Sequence, residues 1–121
     1  MDMEQYKLYE AEYKFVSIIW ENEPINSTEL VRLCAERLGW KKSTTYTVLK
    51  KLCTRGILQN QDAIVTSLVK QEEIQRYESN TVVDKTFNGS LPMFLTAFLD
   101  NKKLTPKEAE ELIKIIEEGT K

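Results

Sequence analysis

The sequence has no histidine among its 121 residues, only four glycines, three prolines and two cysteines. Without imidazole, histidine general bases, histidine-dependent triads and the usual zinc spheres are excluded. Four glycines leave little loop to cradle a phosphate, and no Walker loop, G-x-G-x-x-G or G-x-S-x-G pattern is found. Cys34 and Cys53 are too few for a disulfide framework and read as reduced, buried thiols. No apolar run approaches the roughly 18 residues a membrane span needs. The N-terminal stretch MDMEQYKLYEAEYK has neither a basic nor an apolar leader region, so a cytoplasmic protein is expected. No enzyme, metal or cofactor is expected from this inventory.

What is present is ordinary globular material, 41% hydrophobic and 30% charged, with a net charge of −2. The charge is uneven. Residues 1–70 hold 10 Lys/Arg against 9 Asp/Glu, and residues 71–121 hold 7 against 10. From Arg37 to Gln61 there are six basic residues and no acidic one. A basic strip in an acidic chain points to nucleic acid at one end and a different role at the other.

Hydrophobic spacing predicts a helix over about Leu8–Glu21. A second helix follows, with Asn26 as N-cap, Glu29 completing a capping box, Leu30, Leu33, Cys34 and Leu38 buried, and Gly39 ending it. A third runs from Ser43 as N-cap to Thr54 or Arg55, closed by Gly56. On it Thr45, Val48, Leu49 and Leu52 form the core face. Ser43, Thr47, Lys50 and Thr54 lie opposite, flanked by Thr44 and Lys51. Ile57-Leu58 and Ala63–Thr66 then read as two short strands around a Gln59–Asp62 tip. Helical spacing resumes at Lys70. Residues 91–99 carry six large apolar side chains, and Thr105 caps a last helix bearing Leu112, Ile113, Ile115 and Ile116.

Helix, helix, short turn, helix and hairpin is the order of a winged helix-turn-helix, whose last helix before the wing enters the major groove. The expected fold is mainly α with a small β-hairpin: a winged helix-turn-helix over residues 1–70 and a helical dimerisation domain over 71–121. Thr and Ser can donate to phosphates, and Thr methyls can touch thymine methyls. Lys41, Lys42, Lys50, Lys51 and Arg55 can neutralise phosphates. With Ser43, Thr44 and Thr47 they form the expected DNA-binding set. Leu91, Phe94, Leu95, Phe98, Leu112 and Ile116 form the expected dimer contact. The competing readings are a solvated basic helix face, a winged-helix protein–protein module without sequence-specific DNA binding, and a fold-back of the last helices onto the winged domain. Trp40 reads as core, and Tyr46 sits at the edge of the core face.

Three stretches carry a family resemblance: AEYKFVSIIWEN, PINSTELVRLCAERLGWKKSTTYTVLKKLCTRGIL and FNGSLPMFLTAFLDNKKLTPKEAEELIKIIEE. They resemble the penicillinase-repressor (BlaI/MecI) family of bacterial transcription repressors from about Leu8 to Glu118. Its most specific parts are Trp40, Thr44, Thr47, Leu49, Leu52 and Gly56, and then Phe87, Gly89, Ser90 and Leu91. The resemblance implies a homodimer on a palindromic double-stranded DNA operator, typically with TACA/TGTA half-sites. It also implies control of β-lactam resistance or related genes, and release by proteolysis set off by a membrane sensor. It places family DNA contacts on Thr44, Thr47 and Lys51, with Ser43 and Arg55 at basic family positions. Two features depart from the pattern. The wing is about four residues short, and its tip has no Lys or Arg. The family's Asn-Phe cleavage bond is Ala97-Phe98 here. The cysteine-rich copper tail of some relatives is absent.

Overall fold

The computed structural model describes residues 4–121. The chain divides into two compact units, Met1–Thr81 and Val82–Lys121. The expected division was at Lys70/Gln71. The first unit extends further because Ile74 is fully buried in its core and Tyr77 packs edge-on against Tyr6 at 6.3 Å.

The first unit begins with a 3-10 turn, Glu4–Tyr6, and helix α1, Glu10–Asn22. Two-residue strand β1, Ile25–Asn26, leads into α2, Ser27–Leu38, and then α3, Lys42–Thr54. Strands β2, Leu58–Gln61, and β3, Ile64–Ser67, complete a three-stranded antiparallel sheet in the order β1-β3-β2. Strand β1 is absent from the sequence reading because two residues carry no period. Its pairing of Ile25 with Val65 is a tertiary event. One core fills the interior. Phe15, Val16 and Ile19 of α1 meet Leu30, Leu33 and Cys34 of α2, Leu49 and Leu52 of α3, and Ile57, Leu58 and Val65 of the wing. Burying each large side chain contributes roughly 1.5–3 kcal/mol.

Local chemistry sets most boundaries. The Asn26 side chain accepts from the Thr28 amide at 2.8 Å and caps α2. The expected reciprocal bond from Glu29 is not made. Glu29 pairs instead with Arg32, one turn on, at 3.0 Å from Nε. Gly39 ends α2 in the left-handed region (φ 70°), where a side chain would be strained. The hairpin is tighter than expected. Register pairs Gln61 with Ile64, so the turn is Asp62-Ala63 alone, and Gln59–Gln61 belong to β2. Both turn residues have positive φ (53° and 67°), the conformation that matches strand twist.

Helix α4, Gln71–Thr86, runs from the first unit into the second, which contains α5, Leu91–Leu99, and α6, Pro106–Gly119. Ser90 caps α5. Thr105 caps α6 as expected, and Glu108 completes a capping box with it. Among the described residues no helix is long and apolar enough to cross a membrane.

Candidate DNA-reading face

The outer face of α3 is built by what its inner face buries. Thr45, Leu49 and Leu52 are buried and Val48 is half-buried. Ser43, Thr44, Thr47, Lys50, Lys51 and Thr54 are all exposed, as the spacing predicts. Trp40 stacks on Phe15 with centroids 5.4 Å apart and fixes where the helix begins. It is a packing residue. Under the helix lies Cys34, whose thiol is pushed up to about 11 by burial against the opposing effect of a hydrogen bond with Thr45.

The helix starts one residue before its expected cap. Lys41, not Ser43, is the N-cap, and it makes no side-chain cap bond. The amide and hydroxyl of Thr45 both donate to the Lys41 carbonyl, at 3.0 and 3.2 Å, so the first turn closes there. Ser43 therefore lies within that turn, and Thr47 Oγ1 donates to its carbonyl at 2.9 Å. The first turn of α3 has no acidic residue and no side-chain cap. Such a terminus offers free amides and the positive end of the helix dipole to an anion.

The basic residues divide into two groups. Lys41, Lys42 and Lys50 are exposed and take part in no ion pair among the described residues. Lys51 and Arg55 reach to a carboxylate of α1. Lys51 Nζ is 2.9 Å from Glu12 Oε2, and Arg55 Nη1 is 3.6 Å from Glu12 Oε1. Arg55 Nη2 also donates to the carbonyls of Gln5 and Lys7. Glu12 is 6% exposed. Burial pushes its carboxyl up, but the Tyr9 amide and the charges of Lys51 and Arg55 outweigh it and hold it below the usual range. The pairing with Glu12 is invisible in sequence because Lys51 comes 39 positions after Glu12. The only local hint is an acid among the apolar positions of α1.

Beside α3 and β2 runs a shallow groove of about 370 Å³ lined by Tyr46, Leu49, Lys50, Cys53 and Asn60. The Tyr46 hydroxyl lies 3.4 Å from Ser27 Oγ, and its ring remains at the surface.

In the second unit neither α5 nor α6 has a fully buried residue. Leu91, Met93, Phe98, Ile113, Ile115 and Ile116 are each more than half exposed. Phe94, Leu95 and Leu112 are half-buried. Phe94 meets Phe87 edge-on at 5.5 Å and stacks on Phe98 at 5.7 Å.

A three-helix unit with a two-stranded wing and a polar, acid-free third helix defines a winged helix-turn-helix protein of the DNA-binding class. The family model for the penicillinase repressor matches residues 8–118, and the chain belongs to that family of transcriptional repressors. The Bacillus licheniformis penicillinase repressor is 25% identical over 93% of this chain and 91% of its own length. The methicillin resistance regulatory protein MecI of Staphylococcus aureus (strain Mu50 / ATCC 700699) is 24% identical over 96% and 98%. A Staphylococcus aureus penicillinase repressor is 23% identical over 100% and 99%.

Proposed function

We propose that the chain represses transcription as a homodimer that seats two α3 helices in successive major grooves of an inverted-repeat operator. The observation that supports this most is the outer face of α3. It is hydroxyl and ammonium throughout, exposed along its length, and entered at an uncapped, acid-free N-terminus. Lys41, Lys42 and Lys50 meet phosphates, while Ser43, Thr44 and Thr47 lie at the base edges. One such helix spans too few base pairs for a unique site, so a two-fold partner is needed. The exposed apolar residues of α5 and α6 supply the material for that contact.

The family's sensor-triggered cleavage transfers less directly. The Ala97–Phe98 bond lies inside α5, and the residue before Phe98 is Ala. A protease acting there would have to unwind the helix. We therefore do not assign release of the operator to cleavage at this bond.

A mobility-shift titration against the promoter of the chain's own gene, at two salt concentrations, tests the DNA reading. A specific, salt-sensitive shift is expected. No shift at low salt would favour a winged-helix protein–protein module.

A further inference from the structure

We propose that Glu12 is a specificity-positioning residue: it holds Lys51 and Arg55 against α1, and so withholds the otherwise free charge of Lys51 from indiscriminate phosphate contact. The inference rests on α3 being the DNA-reading helix.

Three observations carry it. First, one carboxylate serves both cations. Glu12 Oε2 is 2.9 Å from Lys51 Nζ, and Oε1 is 3.6 Å from Arg55 Nη1 while accepting the Tyr9 amide at 2.9 Å. Second, the carboxylate is fixed. It sits in the first turn of α1 at 6% exposure, bonded to the Tyr9 amide at the start of that helix. Third, the two cations differ in freedom. The Arg55 side chain is 24% exposed, and its guanidinium is also tied to two backbone carbonyls. The Lys51 side chain is 56% exposed and has Glu12 as its only ion-pair partner among the described residues. Its neighbour Lys50 has none.

Adjacent lysines on one helix therefore stand in opposite electrostatic states. A free surface ammonium that meets a phosphate releases a counterion and contributes about 0.9 to the slope of log affinity against log salt. A lysine already neutralised by a fixed carboxylate releases fewer and gains less. Sequence-independent binding is made mostly of such contacts, whereas specific binding also draws on the hydroxyl face. Holding Lys51 back thus lowers the first more than the second.

The test is a salt series of anisotropy titrations with the full chain, using a promoter duplex and a scrambled duplex of equal length. Glu12→Gln keeps an oxygen for the Tyr9 amide but removes the charge. It should tighten binding to the scrambled duplex at low salt and steepen its slope by about 0.9, an extra loss of about 3–4-fold between 50 and 200 mM. Glu12→Asp should restore the wild-type slope, and Lys51→Met in the Glu12→Gln background should remove the added slope. In the otherwise native chain, Lys50→Met should flatten the slope by about 0.9 and Lys51→Met by much less, a comparison that stands even if Glu12→Gln does not fold. A folded Glu12→Gln variant with an unchanged slope overturns the proposal, as does a Lys51→Met effect equal to that of Lys50→Met. Thr44→Ala and Thr47→Ala serve as the parallel control. If they weaken promoter binding while the charge variants show no difference, only the role of Glu12 fails. If they leave it intact, the reading helix is wrong and this proposal falls with it.

Discussion

Thr47 and Arg55 sit two turns apart on α3, and both types suit DNA, yet the structure gives them different work. Thr47 is exposed and bonded only to its own helix at Ser43, so its methyl and oxygen lone pairs are left for a partner. Arg55 is bonded to Gln5, Lys7 and Glu12 and secures the chain leading into α1. Thr44→Ala or Thr47→Ala should each weaken promoter binding by about 1 kcal/mol, roughly fivefold, with little effect on a scrambled duplex. Arg55→Ala should instead lower unfolding stability by about 1–3 kcal/mol in urea titrations and leave the salt slope nearly unchanged. Cys34 gives a prediction in pH. Its thiol stays protonated up to about 11 in the folded protein, above its ordinary value of 9.0. The unfolded chain loses that proton first, so the contribution is complete below pH 9 and is lost as pH rises towards 11. The loss is about 2–3 kcal/mol. Urea titrations at pH 8 and pH 10.5 should show about 2 kcal/mol of it, and Cys34→Ala should remove that part of the difference.

The elements show where sequence was a sufficient guide. Helix α3 was readable because four core positions recur at helical spacing and Gly56 stops it. The polar outer face follows from the same spacing. The exposed hydroxyls and Lys41, Lys42 and Lys50 were therefore legible, whereas the pairing of Lys51 and Arg55 with Glu12 was not, since it depends on how α1 crosses α3. The N-cap was misplaced for a related reason. Ser43 is the better capping residue, but packing of Trp40 on Phe15 and closure of Thr45 onto Lys41 fix the start earlier. The result is an element less stable than it could be. Lys41→Ser should add a cap and stabilise the protein by about 0.5–1 kcal/mol. The same change should weaken DNA binding and flatten the salt slope by about 0.9. Equal stability with unchanged binding would show that this terminus does not face phosphate. The wing carries a comparable strain. Ala63 has φ 67°, where glycine is at ease, so Ala63→Gly should raise the urea midpoint by the equivalent of about 0.5–1 kcal/mol.

At the scale of the whole molecule, the first unit has one continuous buried core, whereas α5 and α6 bury no side chain fully. Apolar composition marked residues 91–99 and 105–118 as interface material in the sequence. Composition alone could not separate a self-contact from a fold-back. Phe98→Asp or Ile116→Asp should yield monomers by sedimentation, with the winged unit still folded and tight operator binding lost. Whether a dimer reads a palindrome through two copies of α3 is tested most directly by a hydroxyl-radical footprint of the full chain on its own promoter. Two protected segments related by a two-fold axis and centred one or two helical turns apart are expected. Both should be lost together in Phe98→Asp at concentrations that saturate the native protein. A single protected segment, or a two-segment footprint that Phe98→Asp leaves intact while sedimenting as a monomer, would contradict that arrangement.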